Sequence, residues 1–276
     1  MQKSLRKYFA VFALPTLAAF VIAFLIPFLF GLYLSFTNFT TVTNTQWVGW
    51  ENYVRAFTDN NDFLHALWIT AAFTVVSVLA FGLALLLTRG LKGTNLFRTV
   101  FFMPNLIGGI VLGYIWQLII NGLLLSAGVD ITYDPKYGFW GLVVLMNWQM
   151  IGYMMIIYIA GLQNLPTDVL EAAEIDGASS WQKLRRVTIP MIMPSITICT
   201  FLTLTNSFKL FDQNFALTAG APMKKTAMLA LDIYNTFYGR IGDEGVGQAK
   251  AVLFFLMVAA IAALQLRATR SREVEQ

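Results

Sequence analysis

Six long apolar runs constrain the fold of this chain more than any other feature. The hydrocarbon core of a bilayer is about 30 Å thick, so a helix needs roughly 20 mainly apolar residues to cross it. The runs that reach or approach this length are residues 9–36, 64–88, 99–125, 138–162, 187–208 and 249–266. Helices are expected, because lipid offers no partner to open backbone groups and the runs are too long for barrel strands. We therefore predict an all-α membrane protein with six transmembrane helices in one domain, residues 1–276.

The overall composition supports this prediction. Hydrophobic residues make up 57% of the chain and charged residues only 12%, which excludes an ordinary soluble enzyme. The last run is the weakest because it contains Lys250 near one end, and we expect that side chain to snorkel to the membrane interface. The first run has about 28 uncharged residues and is too long for the apolar part of a signal peptide, so we predict an uncleaved first span.

The positions of the basic residues predict the orientation. With the N-terminus inside, the segments on that side contain these lysines and arginines: Lys3, Arg6, Lys7, Arg89, Lys92, Arg98, Lys183, Arg185, Arg186, Arg267, Arg270 and Arg272. The two short segments on the other side contain only Arg55 and Lys136. Cytoplasmic loops are enriched in basic residues, so we predict that both termini and the segment 163–186 are cytoplasmic. This spread of charge along membrane edges does not indicate a nucleic-acid partner.

Residues 163–186, here called the charged loop, lie between the fourth and fifth apolar runs. Pro166 and Thr167 are typical of a helix start, and Gly177 is placed where a left-handed residue ends a helix. Ser179 or Ser180 can cap a second helix. The charged loop is therefore predicted to form a helix-turn-helix.

The two predicted helices each carry a small apolar face. Leu170 and Ala173 are spaced for one side of the first helix, and Trp181 and Leu184 for one side of the second. We predict that these faces form one knob that contacts another protein. The alternative is an ordinary solvated connector between two spans.

The motif within the charged loop resembles a known family. Glu171-Ala172-Ala173, three residues, Gly177, nine residues and then Val187-Thr188-Ile189-Pro190 are similar to the EAA signature of ABC importer permeases, with valine and isoleucine where that signature has isoleucine and leucine. The resemblance implies that the loop docks into a groove of an ATP-binding subunit. The residues that it assigns to this coupling are Glu171, Ala172, Ala173, Asp176, Gly177, Trp181 and Pro190.

Polar residues at membrane depth form a second candidate site. The fourth run contains Asn147, Trp148, Gln149 and Tyr153, and the fifth run contains Asn206 and is followed by Lys209 and Asp212. Such groups rarely face lipid, so we expect them to face protein or a water-filled cavity. Interhelical hydrogen bonding and contact with a solute remain open alternatives. A ring beside amide groups suits a sugar, and we predict that Trp148 and Gln149 lie opposite Asn206.

The long segment 209–248 carries a weaker resemblance. Phe211-Asp212, Leu217-Thr218, Gly220, Pro222, Thr226, Leu229 and Tyr234 are similar to the pattern of carbohydrate importers of the maltose type. The resemblance implies a permease subunit in a bacterial cytoplasmic membrane that imports a sugar or oligosaccharide. The implied partners are a second similar permease, two ATP-binding subunits and an extracytoplasmic solute-binding protein. ATP and Mg would be bound by the partner subunits, and no cofactor by this chain.

Catalytic motifs are absent from the sequence. It contains no G-x-x-x-x-G-K-[ST] and no H-E-x-x-H, and its single histidine, His65, lacks neighbours for a metal site. A permease for a polyol or glycerol phosphate is an alternative, with Lys209 as the only candidate for binding a phosphate. A stand-alone secondary transporter is another, although it would be expected to carry charged residues for ion coupling within its spans.

Two packing features are also expected. Gly108, Gly109 and Gly113 permit close helix contact in the third run, and a hinge where these glycines follow Pro104 is the alternative. Trp47 and Trp50, with a nearby tyrosine, are typical of an aromatic belt at a membrane interface.

Overall fold

The computed structural model describes residues 13–41, 43–59, 62–87 and 99–270. The start of the first predicted span therefore lies outside the described residues. So do several of the basic residues used for the orientation, namely Lys3, Arg6, Lys7, Arg89, Lys92, Arg98 and Arg272. The chain forms two compact units. The first contains the described residues of Met1–Phe63 and Ile233–Phe255, and the second those of Leu64–Asp232 and Leu256–Gln276.

The described residues are mostly helical. In chain order the α-helices are α1 Leu14–Leu34, α2 Glu51–Thr58, α3 Asp62–Leu87, α4 Gly109–Leu124, α5 Pro135–Gln163, α6 Thr167–Ile175, α7 Ser180–Met191, α8 Met193–Phe208, α9 Asp212–Leu217, α10 Leu229–Gly239 and α11 Glu244–Arg270. Short 3₁₀ turns occur at Met103–Leu106 and Leu125–Ala127.

Among the described residues, four helices are long and apolar enough to cross a membrane. They are Leu14–Leu34, Gly109–Ala127, Pro135–Gln163 and Glu244–Ala268. Helices α7 and α8 count as a fifth if the bent pair is one span. Helix α3 corresponds to the second predicted run, and its apolar stretch is described over Asp62–Ser77. The number of six spans stays a prediction.

Prolines shape two of these helices in the same way. In α1 the amide of Ile26 donates to the carbonyl of Val21, forming a π-helical turn just before Pro27. In α7 the amide of Ile189 donates to the carbonyl of Leu184 just before Pro190. Proline has no N–H for the regular bond and its ring crowds the preceding turn, so the helix widens there.

The fifth predicted run contains a sharp bend. Helices α7 and α8 meet at Ile192 at an angle of 72°. Pro194 follows two residues later at the start of α8, where the missing N–H would have no helical partner in any case. The bend therefore separates the charged loop and its basic residues from the apolar part of the run.

Glycines bring α4 and α9 together in the second unit. A Cβ added at Gly113 would lie 2.6 Å from the Cβ of Ala216, and one at Gly109 would lie 2.8 Å from the Cβ of Asp212. Only glycine permits this approach. The predicted close helix contact through Gly109 and Gly113 is confirmed, and it places the start of α9 beside α4.

Lys250 differs from the sequence-based expectation. In the first unit its side chain is only 2% exposed, donates to Oγ1 of Thr236 at 2.9 Å and lies 5.8 Å from the centre of the Phe63 ring. The expected snorkelling is wrong, because the threonine hydroxyl and the aromatic face supply partners inside the protein.

The first unit also contains a hairpin that the sequence analysis did not anticipate. Strand β1, Thr37–Thr41, pairs antiparallel with β2, Asn44–Trp47, and Thr37 is opposite Trp47. Threonine and aromatic residues favour strands, which accounts for this local departure from an all-helical chain.

Candidate functional site

The first helix of the charged loop ends at a left-handed glycine. Gly177 has φ of +75°, and the amide of Ala178 donates to the carbonyl of Ala173 at 3.0 Å. The amide of Gly177 itself donates to the carbonyl of Glu174. These bonds satisfy carbonyls that the helix end would leave unpaired, and glycine adopts this conformation without steric cost. The predicted turn at Gly177 is confirmed.

The second helix of the charged loop begins with a capping box. The amide of Gln182 donates to Oγ of Ser179, and the amide of Ser179 donates to Oε1 of Gln182 at 2.8 Å. Of the two serines that the sequence left open, Ser179 is therefore the cap. An ion pair between Lys183 and Glu174 links α7 to α6. The helix-turn-helix is confirmed over 167–191.

The exposed apolar surface of the charged loop differs from the predicted knob. Leu170 packs against a cluster that includes Tyr158 and Ile192, so it faces its own protein. Ile175 is 86% exposed and Trp181 66% exposed. Helical geometry explains the difference, since residue 175 lies on the side of α6 away from residue 170. The sequence analysis missed Ile175. It could have been found as a single large apolar residue between two acidic ones.

The residues assigned to coupling are unevenly accessible. Those with exposed side chains or backbone are Glu171, Ala172, Asp176, Gly177 and Trp181, whereas Ala173 and Pro190 are half-buried. Pro190 lies at the π-helical turn of α7, where it shapes the helix behind the exposed surface.

A cavity of about 320 Å³ lies in the second unit, within the size range of small-molecule sites. We call it the polar cavity. Its lining residues are Asn105, Met146, Gln149, Met150, Asn206, Lys209, Leu210, Phe211, Asp212 and Gln213. They come from the 3₁₀ turn at Met103–Leu106, from α5, and from α8 with the start of α9. The structure thus brings Gln149, Asn206, Lys209 and Asp212 together, as the sequence suggested.

The other three predicted solute residues are placed elsewhere. Asn147 lines a neighbouring cavity of about 30 Å³ and donates to the carbonyl of Val143 in its own helix. Trp148 packs edge to face on Trp116, with ring centres 5.6 Å apart, in the core of the second unit. Tyr153 packs beside Tyr158 in a second cluster. Trp148 is not among the lining residues of the polar cavity, because consecutive helical residues point about 100° apart.

Hydrogen bonds divide the amides of the polar cavity into two groups. Nε2 of Gln213 donates to Oε1 of Gln149 at 2.9 Å, and Nε2 of Gln149 contacts the carbonyl of Ile107 at 3.5 Å. Gln149 therefore bonds to α9 and to the segment that precedes α4, and it also lines the polar cavity. Asn105 and Asn206 make no side-chain hydrogen bond among the described residues. Within the described residues, their side-chain donors and acceptors are therefore open to a solute or to water.

The sequence analysis did not assign six of the lining residues to the site, and three of these six carry amide or aromatic groups. Asn105 follows Pro104 at the start of the third run, and Phe211 and Gln213 flank the predicted Asp212. Phe211 stacks on Phe215, with ring centres 5.6 Å apart and planes 14° apart. The aromatic ring of the polar cavity is thus Phe211, and its proximity to Asp212 in the sequence was the available signal.

The family model for the inner membrane component of binding-protein-dependent transport systems matches residues 78–271, more than half of the chain. The chain belongs to this family. The permease is 43% identical over 282 residues to a probable starch degradation products transport system permease protein, AmyD, of Thermoanaerobacterium thermosulfurigenes, covering 97% of this chain and 96% of the relative. It is 30% identical over 290 residues to the multiple sugar-binding transport system permease protein MsmF of Streptococcus mutans, covering 99% of both chains.

The fold of the permease also matches a solved transporter. A chain of a bacterial alginate ABC transporter, solved in complex with an alginate pentasaccharide-bound periplasmic protein, superposes with a TM-score of 0.79 at 20% identity. The match covers 98% of the permease and 97% of that chain.

Family membership confirms the predicted ABC importer permease in the inner membrane. The permease is a translocation subunit, and ATP hydrolysis belongs to a separate subunit in homologous importers. A stand-alone secondary transporter is excluded. The polar cavity is suited to a permease because amides, an aromatic ring and one residue of each charge can bind a solute without covalent chemistry.

Proposed function

We propose that the permease moves a neutral sugar or oligosaccharide across the membrane, and that the solute passes through the polar cavity. The observation that carries this proposal is the pair of uncommitted amides, Asn105 and Asn206, in a cavity that also contains the ring of Phe211. Sugar hydroxyls need donors and acceptors, and the C–H faces of a sugar stack on rings. The named substrates of the two curated relatives support the same class of solute.

The charges of the polar cavity favour a neutral solute over a phosphorylated one. Lys209 lines the cavity, but so does Asp212, three residues away. A site for a phosphate is typically built from several cationic or N–H donors without a competing carboxylate. A polyol remains compatible with the amides, whereas glycerol phosphate is disfavoured.

The charged loop is proposed to couple the permease to ATP hydrolysis. Ile175 and Trp181 would insert into a groove of an ATP-binding subunit, with Glu171, Ala172, Asp176 and Gly177 at the contact. Exposed apolar side chains held by a capped, ion-paired turn support this role. The complete importer would contain a second permease, two ATP-binding subunits that hold ATP and Mg, and an extracytoplasmic solute-binding protein.

Replacing Asn206 by alanine should raise the KM for transport. Loss of one hydrogen-bonding partner costs about 1–3 kcal/mol, which corresponds to roughly five- to 150-fold in affinity. The measurement is solute uptake by the assembled importer in proteoliposomes. The solute used in this assay is chosen by screening sugars, polyols and glycerol phosphates for a compound that stabilises the cognate binding protein. If only a phosphorylated compound stabilised it, the proposal of a neutral solute would be contradicted.

Two further variants separate solute contact from packing. Thr205→Ala is the matched control, because Thr205 is adjacent in α8, bonds to its own helix and lines a different small cavity with Leu204 and Phe208. Gln213→Ala removes the donor to Gln149 and should lower the melting temperature of the complex as well as affinity. Unchanged KM and rate in Asn206→Ala would limit Asn206 to packing and remove the proposed path.

The proposed orientation can be tested with single cysteines. Cys199, the only native cysteine, is buried, and Cys199→Ala provides a cysteine-free background. In right-side-out vesicles, an impermeant maleimide should label Thr45→Cys and not Ser180→Cys. Permeabilisation should then expose Ser180→Cys. Labelling of Ser180→Cys in intact vesicles would reverse the topology.

A further inference from the structure

Helix α2 carries an exposed apolar stripe that the transport function does not use. Trp50, at the start of the helix, Val54 and Phe57 are 69%, 58% and 41% exposed. Their spacing of four and then three residues places them on one side of a helix. The opposite side contains Asn52 and Ala56, both buried. The helix is therefore amphipathic. Its apolar side stays largely exposed among the described residues, although Phe57 has an edge contact with the Phe63 ring at 5.6 Å between ring centres.

The polar side of α2 is fixed to the first unit by hydrogen bonds. Nδ2 of Asn52 donates to the carbonyls of Ser35 and Thr37 at 3.0 and 2.8 Å. The hydroxyls of Tyr53 and Ser35 lie 2.7 Å apart. The rotation of α2 about its axis is thus set at the end of α1, and the apolar stripe cannot turn inward.

Ion pairs hold the other end of α2. Arg55 contacts Oδ2 of Asp59 at 3.1 Å and Oδ1 of Asp243 at 2.6 Å, and Asp243 immediately precedes α11. The hydrogen bond to Asp243 is the main cause of the raised pKa of Arg55, so the guanidinium keeps its charge. Arg240 pairs with Asp62 at 2.7 Å in the same unit.

The apolar stripe is continuous with the surface of a transmembrane helix. Exposed Tyr33, in the last turn of α1, lies 6.0 Å from Trp47, measured between ring centres. The ring of Phe36 lies between two tryptophans, with its centre 5.6 Å from that of Trp47 and 5.1 Å from that of Trp50. Trp and Tyr concentrate where a span meets the lipid headgroups. The chain of rings therefore runs from the span directly onto the stripe.

We infer that α2 is an interfacial helix whose Trp50, Val54 and Phe57 side chains lie in the headgroup region of the bilayer. The occupant of the stripe is lipid, because the stripe continues the surface of α1 and because the cation of α2, Arg55, is paired with Asp59 and Asp243 away from the stripe. Since Arg55 also binds Asp243, the interfacial helix would fix the depth of the first turn of α11 in the membrane.

Site-specific fluorescence tests this inference. Val54→Cys and Phe57→Cys, each in the Cys199→Ala background, are labelled with bimane in the complete importer in nanodiscs. Val54 is 58% exposed, so its replacement removes little packing, whereas Phe57→Cys also removes the edge contact with Phe63. Lipids brominated near the headgroup should quench roughly half or more of the fluorescence at both positions, and iodide should quench little. The matched control is Asn44→Cys, an exposed polar position of the hairpin in the same unit, where iodide should be the stronger quencher.

Two outcomes would overturn the inference. Iodide quenching at Val54 equal to that at Asn44, without quenching by lipid, would place the stripe in water. Protection from both quenchers would show that a protein, such as the binding protein or the second permease, covers it. Neither readout depends on transport, so a failure here is distinct from failure of the proposed sugar path.

Discussion

Replacement of Gly177 by valine should abolish the stimulation of ATP hydrolysis by solute and its binding protein while the membrane helices still assemble. Gly177 has φ of +75°, and a β-branched residue in that conformation costs about 1–3 kcal/mol. Apart from its two chain neighbours, no described atom lies within 4 Å of a Cβ added at this position. The effect should therefore arise from the backbone alone, through loss of the turn that orients Ile175 and Trp181.

The absence of a steric clash provides a matched control for this variant. Asparagine tolerates the left-handed conformation better than other residues, so Gly177→Asn should retain most coupling, and Gly177→Ala should be intermediate. The measurements are copurification of the ATP-binding subunit and stimulated hydrolysis in proteoliposomes. Wild-type transport and stimulation in Gly177→Val would show that the charged loop is a passive connector.

Replacement of Gly152 by valine should prevent the second unit from folding. A Cβ at Gly152 in α5 would overlap the carbonyl group of Phe101 and lie 2.7 Å from the amide nitrogen of Phe102. Overpacking costs about 1–3 kcal/mol where side chains can shift, and a larger loss is expected here because the obstacle is backbone. The yield of monodisperse permease and its melting temperature in detergent should both fall sharply.

Gly122→Ala is the control for the folding prediction. Gly122 also lies within a helix, but apart from its own stretch of helix no described atom is within 4 Å of its added Cβ. Alanine should be neutral or slightly stabilising there, by up to about 1 kcal/mol. Normal yield and thermal stability of Gly152→Val would mean that the segment before Met103 does not pack on α5 as described.

The sequence determined the features that depend on local chemistry. Apolar length predicted the membrane class, and the positions of Pro166, Gly177 and the following serines predicted the helix-turn-helix. These features are set by backbone conformation and by hydrogen bonds between residues at most five positions apart, so neighbours in the sequence contain the necessary information. Which of Ser179 and Ser180 caps the second helix is also decided locally, by the reciprocal hydrogen bonds between Ser179 and Gln182.

The tertiary structure alone decided which side chains meet. From the sequence, Trp148 and Phe211 were both aromatic residues near amides, but only Phe211 lines the polar cavity, because Trp148 packs on Trp116. Leu170 was expected in the exposed knob and is instead half-buried against a cluster that includes Tyr158 and Ile192. Lys250 was expected at the interface and instead bonds to Thr236 from another helix. In each case the partner comes from a distant part of the chain, and periodicity specifies the face of a helix but not the helix that covers it.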